Sequence, residues 1–170
     1  MHIREQKGSS LLELVFVVLI IASLMIFAID RIQTLLVDVE RVSILRVTGA
    51  LNSAINLQAA EIVVKQGVEA IRVLEHTNPM KFLTELPHNY IGLRSDSQAD
   101  QLGTSNWYFD NKERILGYTV NNKQHFESSL KGVPRARFRV VLVYREGNQS
   151  DENKKIQGIV LKSLDEYRWK

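Results

Sequence analysis

The chain has 170 residues, of which 45% are apolar, and its formal net charge at neutral pH is only +3. It contains no cysteine, which excludes disulfide bonds and thiolate metal sites. A slight positive charge without a basic stripe is not typical of a nucleic-acid-binding protein, so we expect no nucleic-acid partner.

The first predicted element is an apolar helix over residues 11–29, where only Glu13 and Ser23 are polar. A hydrocarbon core about 30 Å thick is crossed by roughly 20 helical residues, so the segment predicts a transmembrane helix. Arg4 and Lys7 precede it, which favours a cytoplasmic N-terminus. A secretory signal peptide is the alternative, although its apolar region would span only about 7–15 residues and end at a small-residue cleavage site.

Glu13 is the unusual residue of this helix, because it places a carboxylate in the first turn of a membrane span. A charge within a span costs a few kcal/mol on insertion scales and indicates a functional residue. Two structural explanations compete with that interpretation. Glu13 lies near the end of the span and can extend to the interface, and it closes the motif SLLE (residues 10–13), which has the spacing of a capping box.

The segment KGSSLLELVFVVLIIASLM resembles the N-terminus of the type IV pilin superfamily, which includes pilins, minor pilins and type II secretion pseudopilins. Its members have a short basic leader that ends in glycine, a prepilin-peptidase cleavage directly after it, and a glutamate at the fifth mature position. The resemblance implies cleavage between Gly8 and Ser9 and N-methylation of Ser9. It also implies that Glu13 is an assembly residue, which pairs with the Ser9 amine of a neighbouring subunit and sets the register between helices.

Three departures from the family pattern favour a minor pilin or pseudopilin over a major pilin. Ser9 stands where many members have phenylalanine, the frequent proline some twenty residues into the helix is absent, and there are no cysteines. The resemblance implies a non-enzymatic filament subunit without a cofactor. It would be a single-pass protein of the inner membrane, with its N-terminus in the cytoplasm and its head in the periplasm, before it joins a pilus or pseudopilus.

The implied partners are other pilin or pseudopilin subunits, the prepilin peptidase, the inner-membrane assembly platform and, before assembly, membrane lipid. The alternative is an uncleaved single-pass membrane protein with a periplasmic ligand-binding or scaffold domain. In that protein Glu13 would be only a capping residue.

After the span, apolar residues recur at three- or four-residue spacing, which predicts that the helix continues as an amphipathic stem to about Lys65 and stops at Gly67. We expect this stem to pack on a head from the same chain, and a coiled-coil dimer is the alternative. The expected organisation is a leader at 1–8, a transmembrane or filament-core helix at 9–29, a stem at 30–66 and a head at 67–170.

The head begins with a predicted helical continuation over residues 68–75. Asn78 and Pro79 then have the pattern of an N-cap followed by the first helical residue, which predicts a short helix before Pro87. Residues 87–106 are polar and are expected to form a surface loop.

Strand patterns dominate the rest of the head. Residues 107–109 and 115–120 predict a hairpin, and residues 135–145 and 156–164 predict two further strands joined by a polar connection. Neighbouring strands joined in this way form an antiparallel sheet. We therefore predict an α+β fold in which the long N-terminal helix packs through its second half on a small antiparallel sheet, as in pilins. The head segments NP, PHNYIG and WYFD…LGYTV also resemble minor pilins, including those of mannose-sensitive-haemagglutinin-type systems.

No familiar catalytic or zinc motif occurs in the sequence, so neither an enzyme nor a metal site is expected. Trp107, Tyr108 and Tyr118 are interpreted as core residues, with a ligand-stacking surface as the alternative. Four arginines surround the strongest predicted strand, where we expect them to solubilise a sheet edge, with contact to an acidic surface or to DNA as the alternative: Arg135, Arg137, Arg139 and Arg145.

Overall fold

The first element is a single helix, α1, which spans Leu11–Gln66. This computed structural model describes residues 11–145 and 155–170. The helix ends beside Gly67, whose φ of 86° lies in the left-handed region that glycine adopts at little cost. The predicted end of the stem is thereby confirmed. The leader, Gly8 and Ser9 lie outside the described residues, as does most of the predicted polar connection between the last two long strands.

Seven strands follow α1 in the described part of the chain, and they form one large and one small sheet. Five of them form a mixed sheet in the order β1-β2-β3-β5-β6, and β4 pairs with β7. Their bounds are β1 Tyr90–Leu93, β2 Trp107–Asp110, β3 Ile115–Thr119, β4 Phe126–Ser128, β5 Arg135–Tyr144, β6 Ile156–Ser163 and β7 Tyr167–Trp169. The α+β class is therefore confirmed.

The chain divides into two compact units, residues 1–39 and residues 40–170. In the second unit, α1 buries Ile44, Leu51 and Ile55 in one apolar core with residues of the large sheet, among them Trp107 and Phe138. Burying one such aliphatic side chain contributes about 1.5–3 kcal/mol. The expectation that the stem packs on a sheet of its own chain is confirmed for this part of α1.

The predicted hairpin and the two long strands are confirmed. The β2–β3, β3–β5 and β5–β6 pairs are all antiparallel. Alternate residues of β5 are buried from Ala136 to Leu142, as the period of two requires. Tyr144 is exposed, and the register between β5 and β6 shifts between Val143 and Tyr144.

The expectation of a featureless surface loop over residues 87–106 is wrong. The segment contains β1 and a 3₁₀ helix at Asp96–Gln101. Strand β1 pairs in parallel with β2, so the sheet is mixed rather than purely antiparallel. The 3₁₀ helix lies on the face of the sheet opposite to α1, where the backbone N–H of Asp96 donates to the Asp110 carboxylate over 2.7 Å. The polar composition of the segment hides this role, since its contacts to the sheet are hydrogen bonds and ion pairs.

Shorter elements complete the head. The predicted continuation after Gly67 is a 3₁₀ helix at Val68–Leu74. Asn78 is confirmed as an N-cap, because its side chain accepts a hydrogen bond from the N–H of Met80, but the helix that it caps is only Pro79–Phe82. The β4–β7 pair has no counterpart in the sequence prediction.

Side chains and loops complete the sheet where its own strands stop. Strand β5 extends beyond the end of β3, and there its Val140 carbonyl accepts a hydrogen bond from the N–H of His76 over 3.0 Å. On the outer strand β6, the N–H of Leu161 donates to the Asn52 side chain of α1 over 2.8 Å. Backbone groups that would otherwise lack partners are therefore satisfied at these two positions.

Candidate functional site

The N-terminal part of α1 is the most unusual surface of the described chain. Its large apolar side chains between positions 11 and 29 are all exposed, with exposed fractions from 47% to 80%. Soluble monomers rarely expose a contiguous apolar patch of this extent. Within the described residues, α1 is the one helix that is long and apolar enough to cross a membrane.

Glu13 lies in the first turn of α1, as predicted. Its side chain is exposed, and its carboxylate forms no hydrogen bond or ion pair with any residue that the structure describes. The cleavage and methylation residues Gly8 and Ser9, and the Ser10 partner of the proposed capping box, lie outside the described range. Of the three predicted site residues, the structure therefore positions Glu13 alone.

A second carboxylate on α1, Glu40, is buried in the head and was missed by sequence reasoning. One of its oxygens accepts hydrogen bonds from the Tyr118 hydroxyl over 3.0 Å and from the Asn121 N–H over 2.7 Å. The other accepts from the N–H and the side-chain amide of Asn122, over 2.9 and 2.7 Å. Only 7% of Glu40 is exposed, so these four bonds replace the water that the charge loses on burial.

We refer to Glu40, Tyr118, Asn121 and Asn122 as the Glu40 clamp. It joins α1, strand β3 and the connection after β3 by hydrogen bonds between residues about 80 positions apart in sequence. Burial raises the pKa of Tyr118, and the nearby Glu40 carboxylate adds to this shift, so the phenol remains a hydrogen-bond donor. In the sequence, Glu40 is one of several polar residues that interrupt the apolar pattern, which gives no sign that it is buried.

On the opposite face of the sheet, Asp96 binds two of the arginines of β5. Arg135 donates through Nε and Nη2 to both Asp96 oxygens over 3.1 Å. Arg137 contacts Asp96 over 3.4 Å and forms a bidentate pair with Asp165 at 2.7 and 2.8 Å. The Tyr108 hydroxyl donates to Asp96 over 2.6 Å.

Burial by itself would raise the pKa of Asp96, but the hydrogen bonds from Arg135 and Tyr108 outweigh it, so the pKa lies below its ordinary value. Burial also raises the pKa of Tyr108, and its bond to Asp96 adds to the shift. The Asp96 carboxylate therefore remains ionised at neutral pH, and its charge is paired with Arg135 and Arg137. Such a network fixes the position of the 3₁₀ helix on the sheet and leaves little free charge for an external partner.

The structure corrects the interpretation of these arginines as a solubilising sheet edge. Strand β5 lies between β3 and β6, and is therefore central. Arg135 and Arg137 are half-buried in ion pairs, and Arg139 donates to the backbone carbonyl of Glu113 over 2.9 Å. Arg145 is exposed.

The three candidate stacking aromatics are buried, as the core interpretation predicted. Trp107 and Tyr108 have no exposed surface and Tyr118 is 3% exposed. The ring centroids of Trp107 and Tyr118 lie 4.9 Å apart, a typical distance for an aromatic pair. A ligand cannot stack on these rings while the head is folded.

No group of three or more histidine, aspartate or glutamate side chains with the geometry of a metal site occurs among the residues that the structure describes. Comparisons of the chain with protein-family models, with curated proteins and with solved structures found no match.

Proposed function

We propose that the chain is a minor pilin or pseudopilin, a structural subunit of a type IV pilus-like filament. In this proposal a prepilin peptidase removes residues 1–8 by cleavage between Gly8 and Ser9, and the new amine of Ser9 is methylated. The subunit resides in the inner membrane, with its head in the periplasm, until the assembly platform transfers it into a filament.

The observation that carries the proposal is the difference between the first part of α1 and its remainder. Its first part exposes apolar side chains on all sides and has a single carboxylate in its first turn. Its residues from Ile44 onward belong to the core of an α+β head. A helix of this kind is anchored at one end by its own domain and leaves the other end free to pack against lipid or against identical helices.

The role of Glu13 follows from electrostatics. Cleavage after Gly8 would create a cationic amine four residues before Glu13, at nearly the same depth in the membrane. When two such helices pack side by side, the carboxylate of one can meet the amine of the other. Both charges are poorly solvated there, so loss of one partner leaves the other uncompensated, at a cost of about 3–5 kcal/mol. The pair therefore favours one register between helices.

Processing is tested by mass spectrometry of the full chain from membranes that contain a prepilin peptidase. We expect a mature N-terminus of methylated Ser9, and loss of processing when the glycine before the cleavage site is changed by Gly8→Leu. A fully active chain that keeps residues 1–8 would overturn the proposal.

Assembly is tested separately with Glu13→Ala, which removes the carboxylate. The matched control is Ser23→Ala, which alters the other polar residue of the apolar segment. We expect both variants to be cleaved and inserted, and Glu13→Ala alone to be depleted from sheared filaments at least tenfold. Equal incorporation of the two variants would show that Glu13 has no role in register.

The second candidate is an uncleaved single-pass membrane protein with a periplasmic ligand-binding or scaffold head. The exposed apolar segment of α1 favours it equally. It differs in one measurable respect, since it predicts that residues 1–8 are retained in the presence of the peptidase.

A further inference from the structure

The head contains a cavity of about 560 Å³ that none of the preceding roles uses. It lies between the 3₁₀ helix Pro79–Phe82 and strand β1. Met80 and Phe109 line it and are only 1% and 2% exposed, whereas Leu86 and Leu93 line it and are 51% and 57% exposed. Its buried apolar wall, its exposed apolar rim and its volume match those of small-molecule sites, which occupy about 300–1,000 Å³.

The charges around this cavity have one sign. Lys81 and Arg114 line it, and no aspartate or glutamate among the residues that the structure describes does. Both cations are exposed, and neither forms an ion pair with any residue in the described ranges. In the Asp96 cluster, by contrast, each arginine has its own carboxylate. The cavity therefore combines an apolar wall with two cations that form no ion pair within residues 11–145 and 155–170.

We propose that this cavity binds a small amphipathic anion: an apolar or aromatic group that contacts Met80 and Phe109, with a carboxylate that lies between Lys81 and Arg114. The apolar group loses its contact with water against the buried wall. The carboxylate remains partly hydrated, so the two cations contribute selectivity for anions more than affinity.

Addition of a peptide strand to β1 is a less suitable use of the same surface. Gly92 has a φ of 81° and the β1–β2 register shifts between Tyr90 and Leu93, so β1 is not a regular template for a further strand. The N–H of Tyr90 already donates to Pro87, and the Leu93 carbonyl already accepts a hydrogen bond from the Arg94 side chain over 2.7 Å. A compact ligand needs no regular strand edge.

The test uses the full chain in lipid nanodiscs with ¹³C-labelled methionine methyl groups. Met80 reports on the cavity, and Met25 in the apolar part of α1 reports on probe that partitions into lipid. The probes are 4-phenylbutyrate, the neutral 4-phenylbutanol and the cationic 4-phenylbutylamine. We expect a saturable shift of the Met80 signal alone, with the anion bound about five- to tenfold more tightly than the cation.

A double variant tests the role of the charges. It combines Lys81→Gln with Arg114→Asn, because asparagine tolerates the positive φ of 57° at that position. The control, Lys123→Gln with Lys131→Gln, makes the same change in net charge at exposed lysines that do not line the cavity. We expect the first pair to reduce phenylbutyrate affinity about fivefold without changing phenylbutanol binding, and the control to have no effect.

Three results would overturn the proposal. The first is an unchanged Met80 signal at 10 mM phenylbutyrate, a concentration on the order of ten times the Kd of a weak millimolar ligand. The second is equal binding of the anionic and cationic probes. The third is a shift of the Met80 signal, and of the Gly92 amide in a second sample with ¹⁵N-labelled glycine, by a neutral extended peptide, acetyl-Val-Leu-Val-amide, that exceeds the effect of phenylbutyrate and would indicate strand addition.

Discussion

Removal of the Glu40 carboxylate should destabilise the head far more than removal of an ordinary helix carboxylate. In Glu40→Ala, the N–H groups of Asn121 and Asn122 and the Tyr118 hydroxyl lose the acceptor that they share. The substitution leaves alanine, the best helix former, in the middle of α1. Any loss of stability therefore arises from the contacts of the carboxylate.

The magnitude follows from these contacts. A hydrogen bond to a charged group contributes about 1.5–3 kcal/mol, and four such bonds to one group do not add independently. Asn121 is exposed and Asn122 is half-buried, so water can replace part of what they lose. We therefore expect Glu40→Ala to lower the free energy of unfolding by about 3 kcal/mol. Tyr118→Phe, which removes a single bond, should cost about 1 kcal/mol.

The assay is urea denaturation of the full chain in detergent micelles, followed by the combined fluorescence of Trp107, which is buried, and Trp169. The matched control is Glu61→Ala on the same helix, whose carboxylate is exposed and pairs with Lys65 over 2.6 Å, and we expect a far smaller loss there. In a double-mutant cycle, Glu40→Ala and Tyr118→Phe should be coupled by about 1 kcal/mol. Equal losses of unfolding free energy in Glu40→Ala and Glu61→Ala would refute the stabilising role of the Glu40 clamp.

Three further changes test other parts of the head by the same denaturation. Asp96→Asn should cost about 3 kcal/mol at pH 7, because it leaves the half-buried Arg135 without its carboxylate. The pKa of Asp96 is lower in the folded protein than its ordinary value of 3.8, so its ionised form stabilises the fold above that pH, and this stabilisation is lost as the pH falls through the folded-state pKa. The Asp96→Asn variant should therefore lose less stability than wild type between pH 5 and pH 2. An identical loss in the two proteins contradicts this account. Gly117→Ala should cost about 2 kcal/mol or more, because a Cβ at this position would overlap the Tyr108 ring. The control Gly158→Ala should be nearly neutral, because a Cβ there meets no atom within 4 Å. Equal losses of stability in the two variants would exclude the overlap. Asn78→Ala should cost about 1 kcal/mol through loss of its N-cap, and an unchanged midpoint would show that the cap is dispensable.

The sequence predicted the elements whose signals are local. The end of α1 beside Gly67, the N-cap at Asn78 and the hairpin of β2 and β3 each depend on residues a few positions apart. Their physical causes, a left-handed glycine, a capped N–H and strand alternation, act over the same short distances. These predictions therefore needed no knowledge of the tertiary fold.

The elements that the sequence missed depend on distant partners. Strand β1 lies in a polar segment and becomes a strand through its pairing with β2. Strand β4 pairs with β7, about 40 residues away. The burial of Glu40 depends on donors some 80 residues further along the chain. A single sequence does not show which polar residues find such partners, so the segment around Asp96 was predicted as a surface loop and the burial of Glu40 was not predicted.

The hydrogen-bonded backbone groups of Val140 and Leu161 affect where the sheet could pair with another copy of the chain at high concentration. Open strand edges are the usual starting points of amyloid-like aggregation. Because His76 and Asn52 already occupy these groups, a neighbouring copy cannot pair with the sheet at these two positions. In concentrated chains the sheet is thus protected at Val140 and Leu161, whereas the apolar side chains of residues 11–29 are exposed and available for contact.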